Sequence, residues 1–544
     1  KELKGQSGMV MSEFDAGGRQ VKYSPETYVE PVNGYDLYLT IDETIQYFTE
    51  KALEKAMLDY NLKRGAAAIV MDPKTGYILA MASKPDYDPN DPFSKPDFLG
   101  EEIEWKGKAS QDDVNLLFQT VFRNKALMDT YEPGSTFKAI TASAALEEGV
   151  VRPETQFVCT AVSMAGHDIN CWKAGGHGAE TFRQGVYQSC NPVFVKTGQL
   201  IGIDRFFRYV RNFGFMEKTG ITLNGEPSAD QYQWWAKPTE IDLAVASFGQ
   251  RFTISPLQLV TAYSAIANGG NLLKPILVKQ ISDSEGNVIE KAEPQVIRKV
   301  ISKQTSDTLR EILEGVVSEG TGRNAYVSGY RIAGKTGTSE TKETETEGRF
   351  IASFSLFAPA DDPVIALLVI LDHPQVYPHS GGMIAAPVAG KLAEEILDYL
   401  GVERKYTEMD KKLKLREMYV PEVRNMALKD AVNKLKAYEL NYVVEGEYKG
   451  DDAIVMEQTP KPNSSVPSGS TVILYTYKPE KELSVTMPNV LNKNIDEAAE
   501  TLRKAGLNIK VEGIGQAHRQ EFEPGEELSK GQVVTIWFEH TETD

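Results

Sequence analysis

A pattern that occurs twice near the end of the chain constrains its architecture most. The segment that begins Pro421-Glu-Val recurs as the segment that begins Pro488-Asn-Val. Each copy ends in a glycine, Gly469 or Gly531, followed by an alternating strand pattern. This arrangement is typical of one helix followed by short strands, which predicts two small α/β modules. The longer part of the chain that precedes them must therefore build its own core.

That longer part has strand patterns at both ends and helical patterns in its middle. Two predicted hairpins lie far apart, at residues 66–81 and 349–371, and a further strand pattern lies at 38–41. Helical periodicity is found at residues 43–58, 136–148, 256–268, 303–319 and 385–400. Strands from distant segments around a helical middle predict an α+β domain, in which helices flank one antiparallel sheet and form a helical subdomain.

Composition shifts predict the borders of these regions. We expect the remnant of a larger N-terminal element at 1–35, the main domain at 36–402, a charged connector at 403–417, and the modules at 418–480 and 484–540.

The chain carries 59 Lys and Arg against 77 Asp and Glu, a net charge of −18. Such a charge repels phosphate backbones, so we expect no nucleic-acid partner. The longest apolar run, at 364–371, is shorter than the roughly 20 residues that span a bilayer.

A Ser-x-x-Lys pattern is the first candidate for catalysis. Ser135 and Lys138 lie three residues apart at the start of a helical pattern, and this spacing brings both side chains to one helix face. A serine hydroxyl becomes a strong nucleophile when a neighbouring base takes its proton, and a buried lysine can be that base. Taken alone, the pattern is more often a helix cap beside a surface lysine. A second copy, at Ser339, lies in a run of charged residues that is typical of a solvated segment.

Two further motifs follow in order along the chain. The sequence has a single Ser-x-Asn, at Ser189 and Asn191, and a Lys-Thr-Gly-Thr run precedes the second hairpin. The residues of that run are Lys335, Thr336, Gly337 and Thr338. Lys335 can bind a substrate carboxylate and keep Lys138 neutral, while Ser189 and Asn191 can relay a proton and bind an amide. Other Lys-Thr-Gly copies, at Lys74, Lys196 and Lys218, have turn chemistry or positions that do not fit an active site.

The three ordered motifs are the signature of penicillin-binding proteins and class A β-lactamases. With further stretches, the chain resembles the class B penicillin-binding proteins of the cell-division and sporulation type, followed by two PASTA modules. These stretches lie at residues 39–46, 68–82, 246–258 and 265–270. The residues around Cys171-Trp-Lys and Gly176-His-Gly resemble in particular the stage V sporulation protein D subfamily.

The resemblance implies a serine D,D-transpeptidase that cross-links peptidoglycan stem peptides through an acyl-enzyme on Ser135 and is acylated by β-lactams. Backbone N–H groups of Ser135 and Thr338 are expected to form the oxyanion hole. The resemblance further implies a single-pass membrane anchor, which we expect to be missing here, an extracytoplasmic catalytic domain, and a glycan polymerase as membrane partner. Residues 1–35 then correspond to the remnant of a pedestal domain. Whether the role is in division or in spore cortex synthesis stays open.

A cluster of metal-binding residue types lies between the first two motifs. Within a short stretch, Cys159, Asp168, Cys171 and His177 offer thiolate, carboxylate and imidazole ligands, and His167 is an alternative to Asp168. These ligands suit a closed, structural Zn²⁺ site, whereas catalysis itself needs no cofactor. A disulfide between Cys159 and Cys171, or two inert thiols, are the alternatives. We expect Cys190 to pack in the core.

Two other functions compete with the transpeptidase. One is a non-catalytic penicillin- or peptidoglycan-binding scaffold, although such a scaffold would not require Ser135, Lys138, Asn191 and Lys335 together. The other is a β-lactamase, which the length, the repeats and the lack of an identifiable deacylation glutamate disfavour. The PASTA modules either bind muropeptides or pack against the catalytic domain.

Overall fold

The computed structural model of the chain describes the following residues: 2–12, 17, 27–99, 103–164, 166–227, 237–342, 348–406, 417–446, 450–477, 484–493, 495–513 and 516–539. It divides into two compact units, residues 1–405 and 406–544. Parts of the predicted N-terminal remnant, and residues 407–416 of the predicted connector, lie outside the described residues. The predicted domain borders therefore stay predictions.

The helices of the first unit, in chain order, are α1 Glu43–Asp59, α2 Gln111–Gln119, α3 Lys125–Met128, α4 Lys138–Glu147, α5 Phe182–Tyr187, α6 Asn191–Ile201, α7 Ile203–Asn212, α8 Glu240–Ala246, α9 Pro256–Ala267, α10 Lys303–Ser318 and α11 Gly381–Tyr399. Their starts follow from local chemistry. The side chain of Asp42 accepts hydrogen bonds from the first backbone N–H groups of α1, and Ser255 forms a capping box with Gln258 at the start of α9.

The strands of the same unit are β1 Met9–Met11, β2 Thr27–Val29, β3 Asp36–Leu39, β4 Gly65–Met71, β5 Ile78–Lys84, β6 Gln156–Cys159, β7 Val162–Met164, β8 His167–Ile169, β9 Gly178–Thr181, β10 Asn271–Leu273, β11 Val278–Ser282, β12 Val288–Lys291, β13 Val296–Lys299, β14 Ala333–Lys342, β15 Gly348–Ala358 and β16 Ile365–Asp372. The strand predicted at 38–41 lies at β3, but it pairs with β11 instead of joining the central sheet.

Among the described residues, five strands form the central sheet, in the order β14-β15-β16-β4-β5 and with antiparallel pairing throughout. Helices cover both faces, and this explains the unbroken apolar sequences of β4 and β16, whose residues are all buried. Along β4, Ala67 and Ile69 face a core that includes α4, α6 and α9, whereas Ala68 and Val70 face a core built with α1 and α11. The predicted α+β fold with a helix-flanked antiparallel sheet is confirmed.

The Lys-Thr-Gly-Thr run, predicted to precede the second hairpin, is itself part of the central sheet. It lies within β14, which pairs with β15 and forms an edge of the central sheet. The free side of β14 contacts the turn around Ser135: a Cβ atom built on Gly134 would lie 2.7 Å from the carbonyl oxygen of Thr338. An edge strand keeps backbone groups available for a ligand, and this position therefore brings the third motif to the first.

The second unit contains both copies of the repeat. Its helices are α12 Leu428–Ala437 and α13 Ile495–Lys504, and its strands are β17 Glu417–Tyr419, β18 Asn441–Glu445, β19 Glu457–Thr459, β20 Ser465–Pro467, β21 Thr471–Tyr475, β22 Ser484–Thr486, β23 Asn508–Gly513, β24 Gln516–Gln520, β25 Glu527–Ser529 and β26 Val533–Glu539. Each copy has its own apolar core and one parallel strand pair, β18 with β21 and β23 with β26.

The two copies contact each other through a short polar interface. Asn508 accepts a hydrogen bond from the backbone N–H of Thr471 and donates one to its carbonyl oxygen, both 3.0 Å long. Lys530 forms an ion pair of 2.9 Å with Glu445. The side-chain amide of Asn508 thus pairs with both backbone groups of Thr471 and fixes the distance between the two copies. The copies therefore form one compact unit.

No helix in the described part of the chain is both long enough and apolar enough to span a bilayer.

Candidate active site

Ser135 lies in a tight turn at the entry to α4. A single 3₁₀ turn, Gly134–Phe137, leads directly into the helix that begins at Lys138. Gly134 has a φ of 54°, a backbone conformation that side chains with a Cβ rarely adopt. Its amide donates to the carbonyl oxygen of Gly249 at 2.9 Å, and the carbonyl oxygen of Thr136 accepts from the buried Tyr263 hydroxyl at 2.7 Å. The turn is therefore held from both sides.

The amine of Lys138 is directed into the second motif. It donates to the carbonyl oxygen of Ser189 and to Oδ1 of Asn191, both at 2.7 Å, and lies 3.2 Å from Oγ of Ser189. Ser189 itself has a φ of 55°, which turns its carbonyl oxygen and its side chain toward the same amine. Within the described residues, no hydrogen bond joins Ser135 Oγ to this amine. A neutral amine has two N–H bonds and one lone pair. The two short contacts use both N–H bonds, so the lone pair is left to accept a proton.

Lys335 approaches the same hydroxyl from the opposite wall. Its amine donates to Ser189 Oγ at 2.9 Å and lies 3.3 Å from Oγ1 of Thr336. The two lysines therefore share one serine hydroxyl, which accepts from Lys335 and can donate its own proton to Lys138. This is a path for a proton between the two motifs.

Both lysines are fully buried, and burial disfavours their charged forms. Burial lowers the pKa of Lys138 to about 7. Burial, and the nearby charge of Lys138, lower the pKa of Lys335 well below its ordinary value. An amine that is half neutral near pH 7 can act as a general base without further activation.

The edge strand β14 lies very close to the Ser135 turn. A Cβ atom on Gly337 would lie 2.8 Å from the carbonyl oxygen of Pro133, so only glycine allows this approach. Thr338 follows directly, and its Oγ1 accepts a hydrogen bond of 3.0 Å from the amide of Gly381 at the start of α11. The backbones of Ser135 and Thr338 thus lie on the two sides of one narrow gap, the position predicted for an oxyanion hole.

These residues open onto a cleft of about 640 Å³. Sequence-predicted residues that line it are Ser135, Ser189, Asn191, Thr336 and Thr338. The structure adds residues that the sequence analysis did not identify, among them Trp172, Phe248, Gln250, Arg323, Asn324 and Met383. They come from segments far apart in the sequence. The available signals were the position of Trp172 directly after Cys171 and the inclusion of Phe248 and Gln250 in the stretch at residues 246–258.

Three cysteines and a histidine meet beside the second motif. The ligand atoms of Cys159, Cys171, His177 and Cys190 all lie within 4.8 Å of one another, and the three cysteines are free thiols. Measured distances are 3.2 Å between Sγ of Cys159 and Cys190, and 3.4 Å and 3.7 Å from His177 Nδ1 to Sγ of Cys171 and Cys159. Tetrahedral ligands about 2.0–2.3 Å from a zinc ion lie roughly 3.3–3.8 Å apart. The two distances from His177 lie within this range, whereas the distance between the two sulfur atoms is roughly 0.5 Å shorter than two zinc-bound thiolates require. The cluster is therefore close to the size of a tetrahedral site.

The structure differs from the sequence-based ligand set at one position. Asp168 is exposed and accepts a hydrogen bond from Ser163, and it is not part of the described cluster. Cys190, expected to pack in the core, takes its place. The reason is tertiary: β6 carries Cys159 to the start of α6, where Cys190 lies, whereas β8 pairs Asp168 with Ser163 on β7. The side chain of His167 lies outside the described residues.

A buried carboxylate adds to the chemistry of this cluster. Glu180 is 4% exposed, and neither of its carboxylate oxygens has a hydrogen-bond partner among the described residues. Its Oε1 lies 3.9 Å from Nδ1 of His177. Burial raises the pKa of the Cys171 and Cys190 thiols and lowers that of His177, which favours neutral ligands in the absence of a cation.

The chain is similar to a known protein family, to individual relatives and to solved structures. Residues 66–394 match the family model described as the penicillin binding protein transpeptidase domain. Residues 418–478 and 485–540 each match the PASTA domain.

Two relatives and one solved structure illustrate the similarity. Stage V sporulation protein D of Bacillus subtilis is 36% identical over 88% of this chain and 71% of its own length. Peptidoglycan D,D-transpeptidase FtsI of Escherichia coli is 29% identical over 74% of this chain, which spans 62% of that relative. Penicillin binding protein 3 of Mycobacterium tuberculosis, solved with aztreonam, superposes with a TM-score of 0.59 at 26% identity, covering 72% of this chain and 88% of the other.

Proposed function

Since the chain belongs to the penicillin-binding transpeptidase family, we propose that it is a serine D,D-transpeptidase that cross-links peptidoglycan stem peptides. The observation that carries this proposal is the hydrogen-bonded set of Lys138, Ser189, Asn191 and Lys335 in the cleft that Ser135 lines. A serine, a basic amine and a proton path in one cleft are the parts that acyl transfer requires.

In the proposed reaction, Ser135 Oγ attacks the carbonyl carbon between the two terminal D-alanines. The neutral amine of Lys138 takes the hydroxyl proton as the C–O bond forms. Backbone N–H groups of Ser135 and Thr338 stabilise the oxyanion. The C–N bond then breaks, and the leaving D-alanine amine receives the proton by way of Lys138 and Ser189. An acceptor amine attacks the resulting ester and loses a proton to Lys138. The ester C–O bond breaks, and Lys138 passes that proton to Ser135 Oγ, which restores the free hydroxyl and the neutral amine.

Two features favour this enzyme over the alternative functions. A scaffold without catalysis gives no reason to bury two lysines around one hydroxyl, because burying each amine carries a free-energy cost. A β-lactamase needs a base that activates water against the acyl-enzyme, and we identify no such glutamate among the residues described in the cleft. We therefore infer slow deacylation and a stable penicillin adduct.

The direct test is the mass of the intact protein after incubation with benzylpenicillin. The proposal predicts one added drug mass per chain, which persists for many minutes while free drug is not hydrolysed. Drug hydrolysis without accumulation of adduct would favour the β-lactamase, and neither adduct nor hydrolysis would favour the scaffold.

The biological setting is inferred from the family. We propose an extracytoplasmic catalytic domain, held by a membrane anchor and working beside a glycan polymerase, because cross-linking acts on glycan strands outside the membrane. The higher identity to the sporulation protein than to the division enzyme, 36% against 29%, supports a role in sporulation over one in division. The PASTA pair is a candidate muropeptide binder or packing module.

We further propose that Cys159, Cys171, His177 and Cys190 hold a structural Zn²⁺. The proximity of the four ligand atoms and the free thiols support it. Four protein ligands leave no open position, so the ion would act as a staple between β6, the following loop and the second motif. The ion would take no part in acyl transfer, because the serine and lysine set supplies the nucleophile and the base.

Metal analysis tests this site. We expect about one zinc per chain after purification, and Cys171→Ser should lose it. Ligand binding to the folded state alone stabilises it, so zinc loss should lower Tm by about 5–10 °C. Asp168→Ala is the matched control, because Asp168 belonged to the sequence-based set but lies outside the cluster; it should keep both metal and Tm. Zinc loss in Asp168→Ala, or none in Cys171→Ser, would contradict the four-ligand assignment.

A further inference from the structure

We propose that Arg323 is a specificity-determining residue that binds a carboxylate of the peptide substrate other than the C-terminal carboxylate of the acyl donor. This inference rests on the proposed transpeptidase function. Its starting point is the charge of the cleft: among the described residues that line it, Arg323 is the one charged side chain. The remaining lining is polar or apolar, and the amines of Lys138 and Lys335 are buried behind Ser189.

The backbone on both sides of Arg323 is fixed to the walls of the cleft. Arg323 begins a single 3₁₀ turn, Arg323–Ala325, between α10 and β14. Before it, the hydroxyl oxygen of Thr321 lies 3.2 Å from that of Thr336 in the third motif. After it, the side chain of Asn324 donates to the carbonyl oxygen of Gly382 at 2.8 Å. The position of Arg323 is thus set by the same strand that carries Lys335.

The side chain of Arg323, by contrast, is available to bind a ligand. The residue is exposed, and its guanidinium donates one long hydrogen bond of 3.4 Å to the carbonyl oxygen of Glu319. No carboxylate among the described residues forms an ion pair with it. Arg331 shows the difference, because Nε and Nη2 of that residue donate to the two carboxylate oxygens of Glu314 at 2.7 Å and 2.6 Å. Arg331 is already paired, whereas the five N–H donors of Arg323 are largely free for a ligand.

A free arginine at this place matches the chemistry of an anionic peptide. The chain carries a net charge of −18, which repels carboxylates unless a local cation offsets it. Guanidinium groups bind carboxylates through two parallel hydrogen bonds, which gives both attraction and orientation. Because Arg323 is exposed, water and salt weaken the pair below a buried charged hydrogen bond, whereas its two-bond geometry makes it stronger than an ordinary exposed ion pair. We therefore expect a preference of about 5–20-fold.

A substrate carboxylate can come from two sources. The donor can carry one on the residue before the two D-alanines. The acceptor can carry one beside the amine that attacks the acyl-enzyme. Both would interact with Arg323 in the same way, so the experiment compares each carboxylate with its uncharged amide.

The test uses synthetic thioester donors with the full chain. The two donors of the first pair differ only in the residue before the reactive D-alanine, which is glutamate in one and glutamine in the other. The two acceptors of the second pair are D-alanine and D-alaninamide, and both are tested with the same donor. In the wild type, the carboxylate member of one pair should react about 5–20-fold more efficiently than its amide. Arg323→Gln should reduce that ratio to within about twofold and leave the other pair unchanged. Arg323→Lys should keep part of the preference, and high salt should weaken it.

Arg152→Gln is the matched control, because Arg152 is exposed but does not line the cleft. It removes the same charge and should leave both ratios within twofold of the wild type. Thermal unfolding checks that Arg323→Gln is folded, and its exposed side chain predicts a Tm close to the wild type. The pair that responds identifies the donor or the acceptor as the source.

The role of Arg323 is overturned if the wild type shows no preference in either pair, or if Arg323→Gln keeps the preference. A loss equal for all four substrates would also overturn it, because such a loss reports a structural role. Absence of any thioester turnover by the wild type would instead overturn the proposed function, and this inference with it.

Discussion

Replacing Ser135 by alanine is expected to abolish the benzylpenicillin adduct and to reduce transpeptidation by roughly 10⁵–10⁶-fold, the scale on which removal of a serine nucleophile acts in other enzymes. The reason is that the proposed acyl-enzyme is an ester of Ser135 Oγ, and the variant lacks the atom to which the acyl group would bond. Ser189 also lines the cleft, but both lysines already contact its hydroxyl. Intact-protein mass and thioester turnover measure the two effects.

Ser110→Ala is a suitable control for this experiment. Ser110 also lies at the start of a helix, where its hydroxyl accepts a hydrogen bond from the amide of Asp113, but it does not line the cleft. Its loss should cost about 1 kcal/mol of helix capping and leave the adduct intact. An adduct that persists in Ser135→Ala, mapped by peptide digestion to another residue, would refute the nucleophile assignment.

Replacing Lys138 by methionine is expected to lower the acylation rate by about 10²–10⁴-fold, the usual contribution of a positioned general base. Methionine keeps most of the volume beside the Phe194 ring but removes the amine. It also leaves the Ser189 carbonyl oxygen and Asn191 Oδ1 without their donor, which costs stability. The acylation rate constant with benzylpenicillin, with Tm as the folding check, measures the effect.

The pH profile separates a base from a purely structural lysine. Burial lowers the pKa of Lys138 to about 7, and only the neutral amine can accept the Ser135 proton. Below that pKa the amine is protonated, so the wild-type acylation rate should rise with pH up to about 7 and then level off. Lys138→Met should lack this rise. Lys74→Met is the control, because Lys74 pairs with Asp362 at the surface. The same rise in Lys138→Met would contradict the base assignment.

Several features of the fold follow directly from the sequence. Strands β4 and β16 lie in the two predicted hairpins, and the periodic helices at α1, α9 and α10 begin within one residue of their predicted starts. These predictions succeed because hydrophobic periodicity and helix caps are local properties. The repeat likewise predicted two copies of one module, each now seen with its own core.

Other features depended on long-range pairing. The Lys-Thr-Gly-Thr run is predicted to precede the second hairpin, whereas it forms the edge strand β14, because its pairing with β15 and its close approach to the Ser135 turn depend on the folded chain. The sequence-based ligand set contains Asp168, with His167 as its alternative, because proximity in sequence is the available guide, and it leaves Cys190 to pack in the core. In the structure, the antiparallel pairing of Asp168 with Ser163 keeps Asp168 out of the cluster, whereas the contact between Cys159 and Cys190 brings Cys190 into it.

The sequence alone determined which residue types were available and in which order: a serine and a lysine on one helix face, a Ser-x-Asn, a Lys-Thr-Gly, and a cluster of cysteines and histidines. These patterns are short-range and need no knowledge of the fold. The tertiary structure decided which of them meet. It placed Lys138 and Lys335 on one hydroxyl, added Cys190 to the cluster and brought Arg323 to the cleft, because burial, pairing and distance across a folded chain arise only when remote segments pack together.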